Sequence, residues 1–297
     1  MPVDAPFFIA NSEGSMVPGK VIVPALASIV GGPYGQIAEG ALLGLVVALV
    51  SIRIGFLSHS GAFGAFLLAC VVWGIGGLEW TAPLFAFFVL SSLLSVPGRR
   101  KQAVQEGMHE KSGARDFWQV MANGGLAGAV MVCGLLFPGA LWKPAFLGSI
   151  AAVCADTWST EIGMLSPRMP RSILTMRQVP HGSSGGISVL GTVGGLLGAA
   201  LIAFIGFASH VTHITYGAFV SVVAGGAAGN LADSLAGALF QARYSCAVCG
   251  TGTERRMHCG EPAVLAGGYR CMTNDVVNFI CSAAGAAISA LVFNSIQ

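Results

Sequence analysis

Most of the chain falls into long apolar stretches, separated by short polar segments or by segments bearing glycine and proline. Eight stretches are long enough to consider, at residues 37–56, 60–78, 81–97, 117–138, 144–163, 186–208, 213–240 and 275–295. A bilayer's hydrocarbon core is about 30 Å thick, so a crossing helix needs roughly 20 mostly apolar residues. None of the stretches alternates apolar with polar residues as the strands of a membrane barrel do. The pattern predicts an all-α fold: a polytopic integral membrane helical bundle of about eight transmembrane helices. The bundle is expected over residues 37–297, with polar loops near 97–117, 164–186 and 241–274. Residues 1–36 form a separate N-terminal segment, in which Val21 to Val30 is apolar but cut by Pro24, Gly31, Gly32 and Pro33. That piece is expected to be re-entrant or interfacial. The first residues lack a basic region and include Asp4, so no cleavable signal is expected.

Composition sharpens this picture. The chain is 54% hydrophobic and 9% charged, against about 25% charged for a soluble domain, which excludes a soluble enzyme. The net charge of +2 is too balanced for a nucleic-acid footprint. Glycine, at 42 residues, is about twice its usual share. Pairs four apart, at Gly40/Gly44, Gly124/Gly128, Gly191/Gly195, Gly194/Gly198 and Gly225/Gly229, are expected to let helices approach closely. With the loop after the third stretch placed in the cytoplasm, thirteen of the fifteen basic residues fall on that side, leaving Lys20 and Lys143 opposite. The bias of Lys and Arg toward cytoplasmic loops therefore predicts a cell-membrane protein whose functional face is cytoplasmic.

Polar residues inside the apolar stretches lie at that same side. Asn123 opens the fourth stretch, and Asp156 and Glu161 close the fifth; Asn230 and Asp233 close the seventh, and Asn274, Asp275 and Asn278 open the eighth. An ionisable group at mid-bilayer costs at least about 2.5 kcal/mol, so each is a functional candidate. Taken singly, each also suits a helix cap or a snorkelling end residue. Caps alone, however, have no reason to avoid the other face. Oxygen ligands converging from several helices suit a hard cation such as Mg²⁺, which takes one or two carboxylates together with substrate phosphates.

Two loops add further chemistry. The segment from Arg168 to Gly186 carries His181-Gly182-Ser183-Ser184-Gly185-Gly186 immediately before an apolar helix. Serines there are expected to cap the helix, and the amides of Ser183, Ser184, Gly185 and Gly186 are expected to hold a phosphate; a flexible loop with an ordinary cap is the plain alternative. No G-x-x-x-x-G-K-[ST] occurs, so a Walker-type nucleotide loop is excluded. The loop from Gln241 to Thr273 has Cys246-Ala247-Val248-Cys249-Gly250, with the spacing of a zinc knuckle, and His258, Cys259 and Cys271 are candidates to complete four ligands. Reduced structural thiols are the alternative to structural Zn²⁺. Cys70, Cys133, Cys154 and Cys281 lie within apolar stretches and suit small core positions.

The order of several blocks resembles a known family. These are Gln119-Val120-Met121-Ala122-Asn123-Gly124-Gly125, Ala155-Asp156-Thr157-Trp158 through Glu161-Ile162-Gly163, Gly182-Ser183-Ser184-Gly185-Gly186-Ile187-Ser188, Asp233-Ser234-Leu235-Ala236-Gly237 with Gln241, and Asn274-Asp275-Val276-Val277-Asn278. Together they are similar to the family of transmembrane protein 19 and plant phytyl-phosphate kinase, an integral membrane family. The resemblance implies a kinase that transfers a phosphoryl group from a nucleoside triphosphate, CTP being one candidate, to phytyl or a related isoprenoid monophosphate. It marks Asp156, Glu161, Asp233 and Asp275 as candidate catalytic acids.

On that reading Asp156 and Asp233 hold Mg²⁺, with Asn230, Asn274 and Asp275 as further ligands or close supports. Lys111, Arg115 and Arg177 neutralise phosphates, and Asn123 stands beside them. The expected partners are the lipid bilayer, the isoprenoid phosphate and the nucleotide. A transporter or lipid flippase stays open as a second class, because intramembrane carboxylates and glycine-broken helices also mark transport pathways. A non-catalytic membrane protein is the third possibility.

Overall fold

The computed structural model describes residues 8–10, 16–18, 33–102, 113–208 and 215–297. The expected interfacial piece, Val21 to Val30, lies outside them. Two short strands, β1 (Phe8–Ala10) and β2 (Met16–Pro18), pair antiparallel ahead of the bundle.

Helix α1 (Pro33–Arg53) starts a few residues before the expected boundary, with proline at a first-turn position where its missing N–H is harmless. Helix α2 (His59–Gln102) is broken at Gly77, where φ 65° and ψ −158° describe a backbone open essentially to glycine alone. The chain doubles back at this point. Leu68 and Leu84, one on each arm, both reach the space beside Gly124. Arg115, paired through its backbone with Phe56 and Ser58 near the start of the first arm, donates its guanidinium to Ser92 on the second. The stretches expected at 60–78 and 81–97 are these two arms.

Helix α3 (Phe117–Leu136) follows. Its entry is fixed by a capping box, in which Asp116 accepts from the Gln119 amide and the Gln119 side chain accepts from the Asp116 amide, each at 3.0 Å. A π-turn at Met121–Gly125 interrupts its first half. After α4 (Trp142–Gly163) the chain forms a small hairpin of β3 (Arg171–Ser172) and β4 (Gly186–Ile187). Because Gly186 and Ile187 pair as strand, the span expected from 186 begins later, with α5 (Val189–Ala208). Thr215 caps α6 (Tyr216–Phe240), so the stretch expected from 213 starts at 216. A β-rich loop then carries β5 (Arg243–Ser245), β6 (Gly252–Thr253), β7 (Met257–His258), β8 (Glu261–Pro262) and β9 (Val264–Gly267). Its sheet order is β6-β5-β9, with β7 and β8 as a separate hairpin. The chain closes with α7 (Asn274–Ile296).

The protein is a polytopic helical membrane protein. Among the described residues six helices are long and apolar enough to cross a bilayer: Gly35–Arg53, His59–Ser95, Phe117–Leu136, Val189–Gly206, Tyr216–Phe240 and Asn274–Ile296. Helix α4, expected as a span, falls outside this set because its mean hydropathy is too low, with Lys143, Asp156 and Glu161 among polar residues at its two ends. The reason is its position. Every residue from Pro144 to Ala155 is buried, so protein rather than lipid is its solvent and apolar character is not required along its whole length.

Glycine makes that enclosure possible. A Cβ at Gly285 on α7 would meet the Gly148 carbonyl of α4 at 2.5 Å, and one at Gly225 on α6 would meet the Gly285 carbonyl at 2.6 Å. On α5, a Cβ at Gly195 or Gly198 would stand 3.0 or 3.2 Å from the carbonyl of Ala155 or Cys154. Hydroxyls bind the same helices: Ser149 and Ser282 share a hydrogen bond of 2.7 Å, and Ser289 donates to the Pro144 carbonyl at 2.8 Å. In lipid, where burial gives helices little drive to associate, close packing and such bonds hold the bundle. The large apolar side chains point outward instead, as Val193, Leu196, Leu197 and Phe204 do on α5.

The N-terminal end of α4 is closed by an ion pair. Lys143 binds Glu79, just past the Gly77 break, and its ammonium stands 4.2 Å from the centre of the Trp80 ring. Both charged side chains are almost buried, at 13% and 12% exposure.

Candidate functional site

At the opposite end of α4 lies a polar cavity of about 320 Å³. The π-turn of α3 contributes Asn123; α4 contributes Asp156, Ser159 and Glu161; α6 contributes Asn230 and Asp233; and α7 contributes Asn274 and Asn278. Arg115, the His181–Gly186 loop and Glu254 complete the wall. The local geometry explains the convergence. Asn230 and Asp233, three apart, share a helix face, as do Asn274 and Asn278, four apart. The π-turn adds a residue to its helical turn and re-aims Asn123, a device common at functional sites. Gly195 leaves room for Asn230, whose amide nitrogen would lie 2.8 Å from a Cβ at that position, and Ser159 donates to the Asn230 side chain at 3.2 Å.

The two aspartates lie within electrostatic reach of each other across α4 and α6. One oxygen of Asp233, Oδ1, is sealed from solvent with no hydrogen-bond partner among the described residues. Around the cavity four acidic residues, Asp156, Glu161, Asp233 and Glu254, stand against a single arginine, Arg115, among the described residues. Carboxylates and amide oxygens with an orphaned, buried acceptor among them fit a hard divalent cation such as Mg²⁺.

A second, apolar cleft of about 80 Å³ runs between α1, both arms of α2 and α3, lined by Leu43, Val47, Ala65, Leu68, Leu84 and Phe88 among others. Arg115 and Asn123 line both spaces. Arg115 and Asn123 therefore stand between a polar chamber and an apolar slot.

Several expected site residues are placed elsewhere. Asp275 is absent from the cavity wall: one residue past Asn274 on a helix turns it about 100° away, and it sits in the first turn of α7, where the helix dipole favours an acid. Arg177 is exposed in the turn between β3 and β4 and does not line the cavity. Lys111 lies outside the described residues. The serine expected to cap the following helix is neither Ser183 nor Ser184 but Ser188, which accepts from the Gly191 amide at 3.1 Å. Ser183 instead donates to the Pro180 carbonyl, and Ser184 to Glu254 at 2.8 Å. Within the loop the amides of Ser183 and Gly186 are already bonded to the carbonyls of Pro180 and Ser183. Of the four amides expected to hold a phosphate, that leaves those of Ser184 and Gly185. Gly185 takes φ 74°, and a side chain there would collide with Ala238 and the Ser234 carbonyl of α6.

In the β-rich loop, Cys246, Cys249, His258 and Cys259 bring their ligand atoms within 4.8 Å of one another. Cys271, expected as a possible fourth ligand, stays apart and exposed, in the turn that leads into α7. Hydrogen bonding with Thr251 holds the Cys249 thiol down at about 6, while hydrogen bonding with Cys249 pushes Cys259 up to about 11. Glu254 was not anticipated from the sequence. It belongs to a loop seventy residues from Ser184, and only the fold brings the two together.

Comparison with known proteins identifies the lineage. The family described as integral membrane protein DUF92 matches residues 42–286. The chain belongs to that family. It is 34% identical over 197 residues to an uncharacterised membrane protein, MJ0933, of Methanocaldococcus jannaschii, covering 66% of this chain and 79% of that one. It is 28% identical over 276 residues to Protein PGR of Arabidopsis thaliana, covering 84% and 93% of the two chains. With Protein VTE6, chloroplastic, of the same plant it shares 29% over 244 residues, covering 80% of this chain and 65% of VTE6. No solved structure matches the chain. The family resemblance drawn from the sequence blocks is borne out, and the matched region contains the cavity residues from Asn123 to Asn278.

Proposed function

We propose that the protein is a phosphotransferase that moves the terminal phosphoryl group of a nucleoside triphosphate onto an isoprenoid monophosphate at the cytoplasmic face of the cell membrane. One observation carries this reading: the apolar cleft meets the polar cavity at Arg115 and Asn123, the arrangement an amphiphile with a lipid tail and an anionic head requires. The resemblance to plant phytyl-phosphate kinase supports phytyl phosphate, or a close relative, as acceptor and CTP as one candidate donor. The basic loops support the cytoplasmic orientation.

In this mechanism the tail occupies the cleft, and its phosphate is held at Arg115 and Asn123. The Ser184 and Gly185 amides, in a loop that Gly185 lets pack directly on α6, receive a phosphate of the nucleotide. Asp156 and Asp233, with Asn230 and Asn274 beside them, are the residues to hold Mg²⁺, which supplies charge neutralisation to the phosphates when bound. An oxygen of the acceptor phosphate attacks the terminal phosphorus, the bond to the bridging oxygen breaks, and nucleoside diphosphate leaves. A phosphate monoester has its second pKa at about 6, so the attacking oxygen needs no general base. The work of the chain is positioning and electrostatics.

The test uses purified protein in lipid nanodiscs with Mg²⁺, phytyl or geranylgeranyl phosphate, and a panel of nucleoside triphosphates including CTP. Formation of the isoprenoid diphosphate is expected. No turnover across the panel and across acceptor chain lengths would sink the proposal.

A further inference from the structure

The β-rich loop gathers a cluster of thiols and an imidazole, Cys246, Cys249, His258 and Cys259, apart from the polar cavity. Its first half is a knuckle. The Val248 amide points at the Cys246 sulfur at 3.4 Å, the Gly250 amide donates to the Cys246 carbonyl at 2.9 Å, and Gly250 turns at φ 73°. These bonds aim the thiols of Cys246 and Cys249 at one point.

Its second half is a two-residue hairpin between β7 and β8. Cys259 and Gly260 take φ of 53° and 81°, a pair of left-handed residues at a position that asparagine and glycine normally fill. A cysteine held there is strained without a local reason. The strain places its sulfur 3.3 Å from Nδ1 of His258, and the Cys249 sulfur lies 3.5 Å from the same nitrogen. In a tetrahedral zinc site with Zn–S of about 2.3 Å and Zn–N of about 2.0 Å, neighbouring ligand atoms stand roughly 3.5–3.8 Å apart. A disulfide would use two of the three sulfurs and leave the third thiol and the imidazole without purpose.

We infer that Cys246, Cys249, His258 and Cys259 bind one Zn²⁺ in a closed Cys₃His structural site, and that this site fixes the lid of the polar cavity. Glu254 lies between the two ligand pairs, lines the cavity and accepts a hydrogen bond from Ser184 at 2.8 Å. The base of the loop is anchored separately, through the Ala242 amide on the Met272 carbonyl and the Tyr269 amide on the Phe240 carbonyl. The metal orders the tip, and the tip presents Glu254 to the His181–Gly186 loop. The site is independent of whether the cavity transfers phosphate.

The experiment takes the full chain in detergent, with any affinity tag removed. Elemental analysis should find about one zinc per chain. Exchange for Co²⁺ should give the thiolate charge-transfer and ligand-field bands of a tetrahedral sulfur-rich site, a readout that needs no variant. Cys249→Ser should lose the metal and Cys271→Ser should keep it. Chelation should make the loop between residues 246 and 263 sensitive to protease while the bundle stays intact. Absence of zinc, a six-coordinate cobalt spectrum, metal lost with Cys271→Ser, or a loop equally protected after chelation would each overturn the inference.

Discussion

Asp156 and Asp233 approach from two helices, and one Asp233 oxygen is buried without a hydrogen-bond partner among the described residues. Two adjacent acids are stable there only if a proton or a cation separates their charges. Each of Asp156→Asn and Asp233→Asn should lower phosphoryl transfer by about 10²–10³-fold, with helical circular dichroism and melting temperature retained. Activity within about threefold of the parent would remove the pair from the chemistry. The other wall residues that the sequence pointed to, Asn123, Glu161, Asn230 and Asn274, were legible because an amide or carboxylate inside an apolar stretch has few benign explanations. Asp275 stands off the cavity wall for a physical reason: one residue along a helix changes face, and only the angular position separates it from Asn274. Glu254 was illegible because an acid in a polar loop carries no signal until the fold sets Ser184 beside it.

Helix α4 is the element around which the others pack, and glycine sets how closely they approach it. Gly285→Ala would drive a methyl group into the Gly148 carbonyl and Ala152, and overpacking of this kind costs about 1–3 kcal/mol. A lower melting temperature in nanodiscs is the expected outcome. Gly252→Ala in the β-rich loop, where a Cβ meets nothing within 4 Å, should leave it unchanged. The glycine spacing announced close helix contacts in advance, and the structure bears this out on α1, where Gly40 and Gly44 lie against Gly74, Ala69 and Phe66 of α2. Less legible was the Gly77 break: an apolar run of 37 residues, His59–Ser95, reads as two helices by length, but not as one helix folded at a glycine. The cleft formed by α1 to α3 makes its own prediction. Ala65→Phe should raise KM for the isoprenoid phosphate and leave KM for the nucleotide unchanged, measured in the same steady-state assay. Equal changes in both would argue against a tail in that slot.

Across the whole molecule the polar groups are sorted to two ends. The cavity lies at one, the Glu79–Lys143 pair closes the other, and the buried run Pro144–Ala155 separates them. Asp156 lies thirteen residues from Lys143 on α4, roughly 20 Å along the axis. Between the two ends the glycine-lined helices pack closely on α4, and the Glu79–Lys143 pair is set apart from the cavity as part of that packing. Lys143→Met should therefore destabilise the fold, by about 3 kcal/mol if the pair is sealed as tightly as its exposure indicates. Glu79→Gln with Lys143→Met should recover most of that loss, and kcat of the folded protein should hold in both; a gate residue would change turnover instead. The central claim is that the cavity passes phosphorus from nucleotide to lipid. Its most direct test is label transfer from a γ-labelled nucleoside triphosphate to phytyl phosphate by the parent protein and Asp233→Asn in matched nanodiscs. The expected result is label on the terminal phosphorus of the lipid diphosphate with the parent and almost none with the variant. Label that stays in nucleotide and inorganic phosphate, or that reaches the lipid equally with Asp233→Asn, would contradict it.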